Sequence, residues 1–135
     1  MATFRLPLPP SANVYWRHTK QGGTYVSAAA KAYKAEAGWI ARAEGLEPIE
    51  GGVVLTLDVY MVNKRADLSN RIKVLEDALN SYAYHDDQQV VEIHARRFEV
   101  PKAKRGQKRE GYVIVTVDHA NYKLSSAFDE DEKSA

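Results

Sequence analysis

The chain has 135 residues, with 19 Lys and Arg against 18 Asp and Glu, a net charge of +1 and no cysteine. That length suits a single domain that buries a core without staples, and the missing thiols exclude disulfides and thiolate metal sites, leaving oxygen or histidine nitrogen for any metal. No apolar run approaches the roughly 20 residues of a bilayer span, and the opening MATFRLPLPPS lacks the layout of a signal peptide, so a cytoplasmic protein with no membrane partner is expected.

In chain order, Thr3 to Leu8 reads as a short strand stopped by Pro9 and Pro10, because proline removes ladder donors. SANVYWRHTKQGGTYVS follows as a loop, with Gly22 and Gly23 at a turn. Ser27 is the N-cap of a helix running to about Glu44 and ended by Gly45. From Gly52 to Val62 the residues Val53, Leu55, Leu57, Val59 and Met61 alternate on one side, the pattern of a half-buried strand. Leu68, Ile72, Leu75 and Leu79 then recur at helical spacing and predict a helix over about Leu68 to Ser81. Strands are expected at about Gln89 to Phe98 and Gly111 to Asp118, joined by the basic connection PKAKRGQKREG. The order β-α-β-α-β-β predicts an α+β fold, a mixed sheet with two main helices packed on a face. Residues 1–120 form the expected domain, and 121–135 an acidic, flexible tail.

Charge is unevenly placed. Asp129 to Ala135 holds four acids and one lysine, which leaves the rest of the chain distinctly basic and suited to a polyanion. Three carboxylates lie at chain turns: Asp67 before the second helix, and Asp86 and Asp87 before the next strand. A hard divalent cation needs only one or two protein carboxylates when substrate phosphates and waters complete its shell, so these acids are candidate ligands. Lys73, six residues after Asp67, can neutralise charge on a phosphate. The alternative is structural: Asp67 or Ser69 caps the helix, Lys73 pairs with Glu76 or Asp77, and Asp86-Asp87 is a solvated turn. His85 either serves the same acids or is incidental. His94 is expected to face solvent or substrate.

The run Arg65-Ala66-Asp67-Leu68-Ser69-Asn70-Arg71-Ile72-Lys73, then Glu76-Asp77-Ala78-Leu79 and His85-Asp86-Asp87-Gln88-Gln89-Val90-Val91, resembles the core signature of RusA-family Holliday junction resolvases. The segment from Leu6 to Ser11, with Asn13, Tyr15-Trp16-Arg17-His18, Tyr25-Val26-Ser27 and Tyr33, looks like the opening of the same family, and the likeness extends to Val117. The resemblance implies a RusA-like homodimer, often prophage-encoded, that needs Mg²⁺ or Mn²⁺ and resolves four-way or other branched DNA by paired nicking in recombination and repair. On matching positions it implies that Asp67 and Asp87 are metal-binding catalytic acids with Asp86 beside them, and that Lys73 is the essential basic residue. Ser69 departs from the family pattern, which has an acid there. On an ideal helix Glu76 lies about 20° around from Ser69 and roughly 10 Å along the axis, so it either completes a shifted metal site or pairs with Lys73. The expected DNA contacts are Arg17, Lys64, Arg65 and Arg71, together with Lys102, Lys104, Arg105, Lys108 and Arg109 of the connection, which suit phosphates. Tyr15, Trp16 and Arg17 serve either a core or an unpaired base. The alternative function is a non-catalytic branched-DNA-binding relative that lost chemistry through Ser69.

Overall fold

The computed structural model describes residues 1–18, 20–63 and 67–121. The expected contacts Lys64 and Arg65, and the expected tail beyond Asn121, lie outside the described residues. Strand β1 (Ala2–Pro7) leads to a helical turn α1 (Ala12–Tyr15) and a small antiparallel ribbon, β2 (Trp16–His18) with β3 (Thr24–Val26). Helix α2 (Ala28–Ala43), strand β4 (Val53–Met61), helix α3 (Ser69–Ala78), a 3-10 turn (Asp87–Gln89), β5 (Val90–Glu99) and β6 (Tyr112–His119) complete the order. The stretch expected to be a loop thus carries α1 and the ribbon. Its β-prone Trp16 and Tyr25-Val26 pair across a reversal where Gly22 takes φ +86°, a conformation that glycine adopts without steric cost.

The main sheet has the order β1-β6-β4-β5, with β4 and β5 parallel and the other pairs antiparallel. Parallel neighbours require a crossover, and α3 supplies it. Val53, Leu55, Leu57, Val59 and Met61 are buried as the alternation predicts, and they join Phe4, Leu6 and the inward residues of β6 in one core. Leu75 and Leu79 complete that core, while Leu68 and Ile72 pack against it. Val74, on another side of α3, meets Tyr15 and Ala30 in a second cluster, so α3 is clamped between the sheet and the α1–α2 layer.

Both main helices end where local chemistry dictates. Ser27 accepts a hydrogen bond from the Ala30 backbone N–H at 3.2 Å. Beyond α2, Gly45 at φ +71° lets the Leu46 and Gly45 N–H groups return to the Ala41 and Arg42 carbonyls. Helix α3 stops three residues short of the expected Ser81, because Ser81 sits at φ +74° and its N–H turns to the Tyr84 carbonyl. Among the described residues no helix is long and apolar enough to cross a membrane.

Candidate functional site

Helix α3 and the turn that follows it place most of the singled-out acids. Asp67 is exposed just before α3, and its Oδ1 accepts the Ser69 backbone N–H at 2.9 Å, satisfying one of the donors a helix start leaves open. Lys73 is exposed halfway along the helix. Glu76 is half-buried one turn further on. At 1.5 Å per residue, Glu76 stands about 13 Å along the axis from Asp67.

The segment after α3 is held by Tyr84 and Gln89. The buried Tyr84 hydroxyl donates to the Glu76 carbonyl at 2.6 Å. Burial, followed by the charges of Glu76, Asp87 and Asp77, raises the phenol well above its ordinary range, so it stays a donor. Asp86 caps the 3-10 turn by accepting the Gln88 N–H at 3.0 Å. The Gln89 Oε1 accepts the backbone N–H groups of His85 and Asp86 at 2.7 and 3.0 Å. Its Nε2 donates to the carbonyls of Ile49 and Gly51 at 2.7 and 2.9 Å, fastening the turn to the segment before β4. His85 holds Glu50 through Nε2 at 2.7 Å. His94 is exposed and pairs with Glu92.

The charges around Glu76 show which groups lie near it. Burial pushes the Glu76 carboxyl above its ordinary range, Lys73 pulls it back, and the negative charge of Asp87 pushes it up again. Glu76 therefore lies within reach of both the Lys73 and the Asp87 charge, while Asp67 stands before the first turn of α3 and Asp86 caps its own turn. Asp77 is the acceptor for the Tyr15 hydroxyl, leaving Glu76 as the helical neighbour coupled to Lys73. Among the described residues, no group of three or more His, Asp or Glu side chains is close enough to hold a metal. Two carboxylates that repel each other beside a solvent-facing lysine nevertheless suit a hard cation that keeps waters and takes its remaining ligands from phosphate.

The basic residues divide by setting. Arg71 turns inward: burial lowers its guanidinium pKa, Nη1 donates to the Pro9 carbonyl, and the buried Nε has no partner among the described residues. Arg17, Lys102, Lys104, Arg105, Lys108 and Arg109 are exposed. Arg109 donates to the Val100 carbonyl at 2.8 Å, which steadies the base of the β5–β6 connection. Lys102, Lys108 and Arg109 border a hollow of about 320 Å³ that Arg5 and Tyr112 also line. Sequence reasoning passed over Arg5, although the inward positions of Phe4 and Leu6 on β1 put it on the outward face. Its guanidinium lies 3.8 Å over the Tyr112 ring, at the end of a stack that continues through Tyr60 to Phe98. Tyr84 and Gln89 were also passed over as site residues, and only the tertiary contacts reveal what they do.

A second concavity adjoins Lys73. It measures about 620 Å³ and is lined by Ala12, Asn13, Trp16, His18, Thr24 and Lys73. Tyr15 is fully buried, so of the two aromatics at the end of α1 it serves the core, while Trp16 reaches the cleft.

The family model described as Endodeoxyribonuclease RusA matches residues 7–118. The chain is 34% identical over 103 residues to the crossover junction endodeoxyribonuclease of Enterobacteria phage 82, covering 74% of this chain and 85% of the relative. Identity is 35% over 103 residues with the enzyme of that description from Escherichia coli, with the same shares. For that of Shigella sonnei it is 34% over 103 residues, again 74% and 85%. Over the same span the resemblance first read in the residues from Leu6 to Val117 is matched, and the chain belongs to the RusA family of endodeoxyribonucleases.

Proposed function

We propose that this protein is a Mg²⁺- or Mn²⁺-dependent endodeoxyribonuclease that acts as a homodimer on four-way or other branched DNA, nicking opposed strands. The observation that carries this reading is the family match over residues 7–118, which contains the segment holding Asp67, Lys73, Glu76 and Asp87. Asp87 and Glu76 would hold the metal, with Asp86 adjacent, and Glu76 supplies the carboxylate that Ser69 lacks. Asp67 acts from the start of α3. When bound, the cation activates water and offsets charge at the phosphorus.

The remaining work belongs to side chains of the protein. Lys73 receives a non-bridging phosphate oxygen and offsets the charge that grows on it. Gln89 and the Asp86 cap keep the Asp87 turn in one conformation, so no ordering is needed when substrate arrives. The exposed cations of the β5–β6 connection and Arg17 hold the DNA backbone without reading sequence.

A labelled four-way junction and a linear duplex, incubated with and without Mg²⁺ or Mn²⁺, test the proposal. Paired nicks confined to the junction and dependent on metal are expected. Asp67→Asn and Asp87→Asn should abolish them, and Glu76→Gln should slow them by about 10²-fold or more, since several kcal/mol of charge stabilisation would run through the metal it holds. Full activity in Glu76→Gln beside a dead Asp67→Asn would remove Glu76 from the site. Salt-sensitive junction binding with no nicking at any metal concentration would instead identify a DNA-binding relative disabled at Ser69.

A further inference from the structure

We propose that the cleft between α1, the β2–β3 ribbon and Lys73 receives a single unpaired nucleobase of the DNA strand to be cut, with the adjoining phosphate at Lys73. This inference rests on the nuclease reading and names the part of the substrate that the site selects. The cleft, of about 620 Å³, falls within the roughly 300–1,000 Å³ typical of small-molecule sites, room enough for a nucleoside-sized group. Among the described residues its lining offers an indole, an amide, a hydroxyl, an imidazole and one ammonium, and no acid. A planar, uncharged ring attached to an anion matches that set: the indole provides a stacking face, the exposed Asn13 carboxamide can pair with a base edge, and Lys73 answers the phosphate.

The wall is braced by contacts within the protein itself. Trp16 stands edge-on to Tyr15, with ring centroids 4.7 Å apart and planes at 67°. Tyr15 is fully buried, its hydroxyl donates to Asp77 of α3, and its carbonyl accepts the Ser27 N–H at 2.9 Å. Across the ribbon the His18 Nδ1 and the Thr24 Oγ1 lie 3.3 Å apart, which ties the two strands at the cleft's other side. Binding therefore requires little ordering of the protein. Lys73 is shared between this cleft and the Glu76–Asp87 pair, so a base seated on Trp16 brings its own phosphate beside the acids. A base stacked within a duplex has no free face to offer, and the cleft would thereby favour branch points, where bases leave the stack.

The test uses the full chain carrying Trp39→Phe, since Trp39 is 70% exposed on α2 and is the other of the two tryptophans. With a chelator present to prevent cutting, duplexes bearing one bulged nucleotide are titrated in alongside matched duplexes with an abasic residue at that position. Quenching of Trp16 emission is expected from the bulged base and little from the abasic partner. Trp16→Ala should weaken binding of the bulged duplex by roughly 5- to 150-fold and erase its preference over the abasic one, whereas Trp16→Phe retains the preference. Loss of fold alone would lower both ligands together, so preference is the readout that counts. Equal affinity and equal emission with both duplexes would overturn the base cleft while leaving the nuclease reading intact. Quenching that tracks protein concentration without DNA would assign the cleft to a second copy of the chain and also overturn it. Absence of binding to any DNA would refute the nuclease reading itself.

Discussion

Replacing Gln89 tests whether the turn bearing Asp86 and Asp87 is held by one side chain. Gln89→Ala deletes four hydrogen bonds, of which the one to Ile49 is partly buried and the other three are exposed to water. At about 1 kcal/mol for the first and roughly 0.5 kcal/mol for each of the others, the loss is about 2–3 kcal/mol. With a urea slope of about 1–3 kcal/mol per molar for small proteins, the unfolding midpoint should fall by about 1 M while the slope stays constant. Gln89→Glu provides the sharper comparison. Its shape is nearly unchanged, but an anionic oxygen would replace Nε2 opposite the carbonyls of Ile49 and Gly51, 2.7 and 2.9 Å away. The Glu variant should be at least as destabilised as the Ala variant at neutral pH, and junction nicking should fall in both because Asp87 loses its fixed position. A Glu variant with the parent's midpoint would refute the account of Gln89 as the fastening of this turn.

Two further outcomes are expected. Burial and Asp87 raise the folded-state pKa of Glu76 above its ordinary 4.5, so the stability this group contributes is fully present below that value and is lost as pH rises through the folded pKa. Glu76→Gln, which stays neutral, should therefore gain stability relative to the parent at neutral pH and lose that advantage below pH 4.5 in chelator-treated urea titrations; a pH-independent difference would count against it. A Cβ on Gly38 would lie 2.4 Å from Cζ of Tyr82, where α2 meets the segment after α3. Gly38→Ala should destabilise the native chain yet stabilise a Tyr82→Ala background by about 1 kcal/mol, the helix-propensity gain freed of the clash. Urea midpoints of the four proteins give the coupling directly, and additive effects would exclude the contact.

The acids were recognisable along the chain, but the local bonds they make were not. Asp67, Asp86 and Asp87 are all close to turns in sequence, which suggests one shared site. In the fold, Asp67 and Asp86 each spend one oxygen on a local cap, and the charge of Asp87 reaches Glu76. The pairing of Glu76 with Lys73 was foreseen as an alternative to metal binding, and the charge of Lys73 does reach the Glu76 carboxylate. Arg71 shows the opposite limit: as a letter it is one more cation beside a phosphate-binding segment, and only the contact with Pro9 reveals that it turns inward.

By itself the sequence determined the local elements: the alternation in β4, the row from Leu68 to Leu79, Ser27 as a cap and Gly45 as a stop each follow from forces acting within one or two turns of chain. It also carried enough of the signature to identify the family. Tertiary structure decided what depends on residues distant in sequence. The parallel pairing of β4 with β5 places α3 as a crossover, and a 62-residue separation closes between Tyr15 and Asp77. Those contacts bring Trp16 to Lys73 and the Gln89 amide to the carbonyls of Ile49 and Gly51. Periodicity constrains which face of an element is buried, but not which other element covers it, and the site is built at such junctions between elements.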